Sequence, residues 1–280
     1  MAPGVVPFRC PHCREPLVDG EGGLHCAIGH RFDRAAEGYV NLLVGGRKPA
    51  RAAGDSAEMI RARRALFDKG HYRPIADAVA DAVATAVTGP MVVLDAGCGE
   101  GMYLDHVVGR LAASGRPVDA IGIDVSRPAV RLAARRHRQP RFAVASSYAI
   151  PLADGVLDAV VTVFAPRSFA EFHRVLRPGG AVVVASPGPD HLAGLKAMLY
   201  AEPRAHVERP HTTEDGDLPL APERRDRVRF ELTLDDPADA ANLLQMTPYW
   251  WHASEDQQRA VAALPELTTV IDVLVTRHRA

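Results

Sequence analysis

Few folds can accommodate the segment Val92-Val93-Leu94-Asp95-Ala96-Gly97-Cys98-Gly99-Glu100-Gly101, an apolar run that ends in an acid and three alternating glycines. A short apolar run closed by glycines reads as a buried strand entering a tight turn. Glycines there permit positive φ and let the backbone approach a ligand closely. The following apolar run ends in Ile121-Gly122-Ile123-Asp124 and places a second carboxylate at a strand end, where it can accept hydrogen bonds from a ribose diol.

Around this pair the chain alternates. β-rich runs at 91–95, 120–124, 141–144, 157–164 and 181–186 are separated by helical stretches, and the runs at 228–234 and 269–276 alternate apolar with polar residues. That order predicts a parallel sheet with helices on both faces and a closing antiparallel pair. Upstream, a helix is expected from Asp55 or Ser56 through Met59, Ile60, Leu66 and Phe67, and another after Pro74 through Ile75, Val79, Val83 and Val87. Residues 202–226 are polar and proline-rich and read as an exposed insertion. With 47% hydrophobic and 24% charged residues in 280, there is enough apolar material for a core. No apolar run reaches the roughly 18 residues of a membrane span. The start, Met1-Ala2-Pro3-Gly4-Val5-Val6-Pro7, lacks the basic-then-apolar pattern of a secretion signal, so a cytoplasmic location is expected.

The first 35 residues are too few to fold on apolar burial alone, and they hold three of the four cysteines. Cys10-Pro11-His12-Cys13 and Cys26-Ala27-Ile28-Gly29-His30 form two close pairs joined by a short glycine-containing loop. Two-by-two thiolate and imidazole donors suit tetrahedral Zn²⁺. Cys10, Cys13, Cys26 and His30 are therefore the expected ligands of one closed structural zinc site, with His12 and His25 as competing donors of poorer geometry.

The glycine spacing also occurs in dinucleotide-binding proteins. Here Asp95 precedes the glycines, and a later strand–helix–Arg177-Pro178-Gly179-Gly180–strand unit follows. That combination resembles the class I methyltransferases, which use S-adenosylmethionine. The resemblance gives Asp95 the methionine ammonium, Asp124 the ribose hydroxyls, and Gly97, Gly99 and Gly101 the loop that the cofactor crosses. Cys98 reads as a small filler. The expected fold is thus α/β, a class I (Rossmann-like) methyltransferase fold with a small N-terminal zinc-binding module. It divides into a zinc module at 1–35, a connector with helices at 36–89 and a catalytic domain at 90–280. With the catalytic core expected beyond residue 55, loss of the zinc module should leave that core intact.

A net charge of −1 means that any nucleic acid must be held by local clusters. Three exist: Arg47, Lys48 and Arg51; Arg61, Arg63, Arg64 and Lys69; and Arg131, Arg135, Arg136, Arg138 and Arg141. Each is as readily a solvated face as a phosphate contact. The zinc module together with Arg61, Arg63 and Arg64 is the expected RNA grip, with cofactor contacts from Tyr72 onward. Tyr249, Trp250 and Trp251 are candidates either for stacking on RNA bases or for a hydrophobic lid.

Taken together the chain resembles the RlmA family, guanine-N1 methyltransferases of large-subunit ribosomal RNA whose other branch confers resistance to tylosin-type macrolides. The resemblance runs through the zinc spacing, Glu37-Gly38-Tyr39-Val40-Asn41-Leu42-Leu43, Gly54-Asp55-Ser56-Ala57-Glu58-Met59 and Ala62-Arg63-Arg64-Ala65. It continues through Gly70-His71-Tyr72, the glycine loop, Ala145-Ser146-Ser147, Pro187-Gly188-Pro189-Asp190-His191-Leu192 and Leu244-Gln245-Met246-Thr247-Pro248. It implies methyl transfer to N1 of a guanine in a ribosomal RNA hairpin loop, cofactor contacts by Tyr72, Gly99, Glu100 and His191, and a homodimer whose zinc modules frame an RNA cleft. Phe164-Ala165-Pro166-Arg167-Ser168 and residues 202–226 depart from the family pattern. Two rivals are a small-metabolite methyltransferase and a non-catalytic RNA-binding protein on the same fold. The zinc module argues against the first, and the intact Asp95, glycine loop and Asp124 against the second.

Overall fold

The computed structural model describes residues 7–44, 55–202 and 220–280. The N-terminal module is a three-stranded antiparallel sheet of β1 (Val18–Gly20), β2 (Gly23–His25) and β3 (Arg31–Asp33), with β2 in the middle. Gly23 is required there, because a Cβ would lie 2.2 Å from the Phe32 carbonyl oxygen.

The main sheet has eight strands: β4 (Val40–Asn41), β5 (Met91–Ala96), β6 (Val118–Asp124), β7 (Arg141–Val144), β8 (Leu157–Val163), β9 (Leu176–Pro187), β10 (Ala221–Leu234) and β11 (Leu267–Arg279). Their order across the sheet is β10-β11-β9-β8-β5-β6-β7-β4. The pairs from β4 to β9 are parallel, and β11 runs antiparallel to both β9 and β10. The strand order reverses at β5, so a crevice opens at its carboxyl end between β6 and β8.

Alternation along each strand feeds two cores. Val93, Val161 and Val183 face one side, where α1 (Ala57–Asp68), α2 (Arg73–Ala84) and α3 (Met102–Ala113) pack. Val92, Leu94, Val160 and Val182 face the other, against α5 (Phe169–Val175). Between β6 and β7 runs α4 (Arg127–Arg136), and α6 (Ala193–Leu199), α7 (Pro237–Gln245) and α8 (Glu255–Ala262) surround the closing pair. The α1 cap is Ser56, whose Oγ accepts from the Met59 N–H at 3.2 Å, and this leaves Asp55 for another partner.

Three features differ from the sequence reading. Val40–Asn41, in the stretch read as connector, pairs in parallel with β7 as an edge strand. The closing strand β10 begins at Ala221, inside the stretch read as insertion, and residues 203–219 lie outside the described segments. The catalytic core also reaches back past residue 55. Phe8, Leu17 and Leu24 share one buried cluster with Val92, Leu94, Ile121 and Phe172, and the Arg9 N–H donates to the Pro151 carbonyl at 2.8 Å. Strands of three residues cannot enclose a core of their own, so the module buries its apolar side chains on the sheet face. Among the described residues no helix is long and apolar enough to cross a membrane.

Candidate active site and zinc centre

A cavity of about 850 Å³ lies at the carboxyl end of β5, a size suited to a small organic cofactor with part of a substrate. It is lined by the loop after β5, by Asp124, by Tyr72, by His191 and by the segments 145–148, 163–167 and 246–249. Gly97, Gly99 and Gly101 have φ of +85°, +53° and +82°, as the sequence requires of them. At Gly97 a Cβ would fall 2.4 Å from the Ala165 Cβ, so the loop and the segment after β8 touch. Gly101 instead packs backwards on His137, Phe142 and Ala133, opening α3, and lies outside the lining.

Asp124 holds the loop from the neighbouring strand end. Its carboxylate accepts from the Gly99 N–H at 2.9 Å and the Ser126 N–H at 2.7 Å. Asp95 is buried at the end of β5, and neither carboxylate oxygen has a partner; the same holds for Glu100, which lines the cavity. Buried unpaired carboxylates are costly unless something cationic completes them. Glu100 and Asp124 line the cavity and Asp95 lies buried behind its lining, so a cationic group fits beside Glu100 and a ribose diol at Asp124. The Tyr72 hydroxyl is likewise buried without a partner, and its ring packs on Phe67 at 5.3 Å. The His191 Nδ1 accepts from the Asp272 N–H at 3.2 Å, which puts the imidazole proton on Nε2. Burial pushes the Cys98 thiol well up, in keeping with a filler.

The electrostatics give a testable pH dependence. Burial pushes the Asp95 carboxyl up to about 8, with the negative charge of Asp124 adding to it. Burial also pushes Glu100 up to about 7, against the lowering influence of Arg63. Both acids hold protons in the ligand-free fold that the unfolded chain has already released. Their contribution to stability is therefore full below the ordinary carboxylate range and is lost as pH rises through 7 to 8. A cationic ligand reverses the preference and favours the ionised forms. Cofactor binding near pH 7 is expected to release protons and to tighten between pH ~6 and ~8. Calorimetry in two buffers of different ionisation enthalpy measures this, and an identical heat in both would refute it.

The basic cluster on α1 is not one face. Arg63 pairs with Asp55 at 2.5 Å, its guanidinium sits 3.3 Å from where a Gly99 Cβ would be, and it lines the cavity. Arg61 pairs with Glu58 in solvent, Arg64 with Asp68 at 3.6 Å, and Lys69 ties α1 to α7 through Asp236 and Asp239 at 2.9 and 2.7 Å. Arg63 points inward beside the glycine loop and so stands apart from Arg61 and Arg64, with which the sequence reading groups it as an RNA grip. Arg63→Ala is accordingly expected to weaken cofactor binding about tenfold. Arg64→Ala should leave it unchanged, as for exposed ion pairs generally. Calorimetry on the two single variants decides, and equal effects would overturn the distinction. In the third cluster Arg131, Arg136 and Arg141 pair with Glu37, Asp68 and Asp119, and the first cluster, Arg47, Lys48 and Arg51, lies outside the described residues. Tyr249 and Trp250 pack partly buried against the core, and Trp251 is exposed.

In the N-terminal module the donor atoms of Cys10, Cys13, Cys26 and His30 lie within 4.8 Å of one another. Cys13 and Cys26 Sγ are 3.6 Å apart, and the His30 Nδ1 is 3.3 Å from Cys26 and 3.5 Å from Cys10. Thiolates at ~2.3 Å from a tetrahedral ion stand ~3.8 Å apart, so the donor set fits Zn²⁺. His12 instead stands beside His30 and Phe32, and His25 sits over Gly20.

Fold, cavity and donor cluster define a class I, S-adenosylmethionine-dependent methyltransferase that carries a zinc ribbon. Residues 8–51 match the family model described as RlmA, N-terminal, and residues 93–180 that of a methyltransferase domain. The 23S rRNA (guanine(748)-N(1))-methyltransferase of Streptomyces fradiae is 37% identical, covering 99% of both chains. A candidate 23S rRNA (guanine-N(1)-)-methyltransferase of Micromonospora griseorubida is 37% identical over 100% of this chain and 99% of its own. A third such candidate, from Bacillus subtilis, is 32% identical over 96% of each. The chain belongs to the RlmA family of 23S rRNA (guanine-N1)-methyltransferases.

Proposed function

We propose that this protein methylates N1 of a guanine in large-subunit ribosomal RNA. The observation that carries the proposal is end-to-end similarity, zinc ribbon included, to a methyltransferase named for guanine 748 of 23S rRNA. The corresponding guanine is the first target to test. The cofactor supplies a methyl group activated on a sulfonium. Asp124 binds the ribose hydroxyls, Asp95 serves the methionine ammonium, and Tyr72, Gly97, Gly99, Glu100 and His191 surround the methionine end. Gly101 shapes the loop from behind. Cys10, Cys13, Cys26 and His30 hold one Zn²⁺, and the closed ribbon leaves no position for a reacting water.

Transfer would form the bond from N1 to the methyl carbon as the carbon–sulfur bond breaks, with S-adenosylhomocysteine as the leaving group and the N1 proton passing to a base or to water. What the chain contributes is alignment of the three atoms and exclusion of water. The guanine leaves its stack to reach the cavity, because its N1 edge is otherwise paired. We place the protein in the cytoplasm with its ribosomal substrate, and as a homodimer whose two ribbons flank the RNA. Incubation with labelled cofactor and unmodified 23S RNA, followed by mapping of the product, tests the activity. Label found only on small metabolites, or nowhere, overturns it. Light scattering of the purified chain tests the dimer, and a monomer mass overturns it.

A further inference from the structure

Three non-glycine residues among those described have positive φ: Arg14, Phe164 and Leu192. Two of them, Phe164 at +52° and Leu192 at +57°, line the cofactor cavity. A left-handed backbone is disfavoured for a bulky side chain and persists only where its surroundings impose it. At Phe164 they do. The Phe164 N–H donates to the Ala185 carbonyl at 3.0 Å, and the next residue, Ala165, is pressed against Gly97. The effect is to hold the ring out at the mouth of the cavity, 39% exposed, with one side stacked on the His191 ring at 5.6 Å and 27°. A second exposed aromatic, Tyr148, lines the same cavity, and the Ser147 Oγ donates to the Pro166 carbonyl at 3.1 Å, which ties the segment bearing Tyr148 to the one bearing Phe164. The left-handed backbone and the exposed part of the ring both cost free energy, and the stacking on His191 covers one side of the ring only.

We infer that Phe164 is the platform on which the target guanine stacks, a substrate-positioning residue backed by His191; this rests on the proposed RNA guanine methylation. A flat purine laid on the ring covers its exposed face and is held at the cavity mouth, on the approach to the methyl group.

The experiment uses the full zinc-loaded chain and a 23S RNA fragment that the wild type methylates. Phe164→Gly removes the ring and relieves the backbone, which offsets the lost stacking on His191 and the added freedom of the unfolded chain, so its melting temperature should change little. Phe164→Leu keeps apolar bulk without a flat face. In both, kcat/KM for RNA should fall roughly ten- to a hundredfold, with affinity for S-adenosylhomocysteine within about twofold of wild type. Phe164→Tyr and Phe164→Trp should restore activity. Full activity in the glycine and leucine variants overturns the platform. So does a loss that tracks cofactor affinity or melting temperature, since the ring would then only buttress His191. A wild type that methylates no RNA overturns the proposed function, and an active wild type with an equally active Phe164→Gly overturns the platform alone.

Discussion

Replacing Cys13 by serine is expected to abolish stoichiometric zinc and to lower the melting temperature of the whole chain, not merely to loosen its first 35 residues. Cys13 is only partly buried, whereas Cys10 and Cys26 are buried, so the substitution tests the metal with little disturbance of packing. Without the ion the three short strands have nothing to hold them, because a ribbon of this kind gains its folding energy from the metal. The consequence reaches the catalytic sheet through Phe8, Leu17 and Leu24, which bury themselves beside Val92, Leu94 and Ile121. Each such side chain contributes about 1.5–3 kcal/mol when buried. At about 2–4 °C per kcal/mol for a domain of this size, their release corresponds to a drop on the order of 10 °C or more. Thermal unfolding with zinc analysis on the same sample checks both halves. Retention of one zinc per chain would falsify the ligand set. Loss of zinc with an unchanged melting temperature would show the ribbon to be an independent bead after all.

That coupling illustrates where the sequence was legible and where it was not. The strand-to-turn run at 91–101, Asp124 and the Cys/His spacing are local signals, since each depends on residues a few positions apart, and all three appear where they were expected. The packing of the ribbon on the sheet joins Phe8 to one buried cluster with residues near position 94, and no periodicity encodes such long-range packing. Strand Val40–Asn41 was missed because two residues carry no alternation. The first part of β10 was missed because charged side chains such as Arg224 and Asp226 read as a surface loop; here they lie on an exposed strand and pair with each other. Arg63 is a different kind of miss. Asp55, Met59, Arg63 and Phe67 recur every fourth residue and all line the cavity. The apolar members of that stripe already marked the inward face, so the spacing was sufficient to place Arg63 inside. Grouping it with its sequence neighbours Arg61 and Arg64 by charge alone put it on the wrong side of the helix. Tyr103, buried just after the glycine loop with an unpartnered hydroxyl, was not singled out, although its position in the first turn of α3 sets it beside the loop.

Asp124→Ala should raise the dissociation constant for the cofactor by roughly ten- to a hundredfold, more than the loss of one ribose contact alone. In the ligand-free structure the carboxylate already accepts from the Gly99 and Ser126 N–H groups, so it positions the glycine loop as well as facing the cavity. Each hydrogen bond to a charged acceptor is worth about 1.5–3 kcal/mol, and removing the acceptor leaves the two backbone donors to find others. Burial raises the Asp124 carboxyl above its usual range, opposed by those same N–H donors, and a ribose diol donating to it would favour the ionised form further. A single substitution does not separate loop anchoring from ribose recognition, but a cycle with the ligand does. Wild type and Asp124→Ala are each titrated calorimetrically with S-adenosylhomocysteine and with its 2′-deoxy analogue. If the carboxylate holds the ribose, wild type discriminates against the deoxy compound and the variant binds both equally weakly. If Asp124 only braces the loop, both proteins discriminate to the same extent, and the ribose assignment falls while the fall in affinity remains.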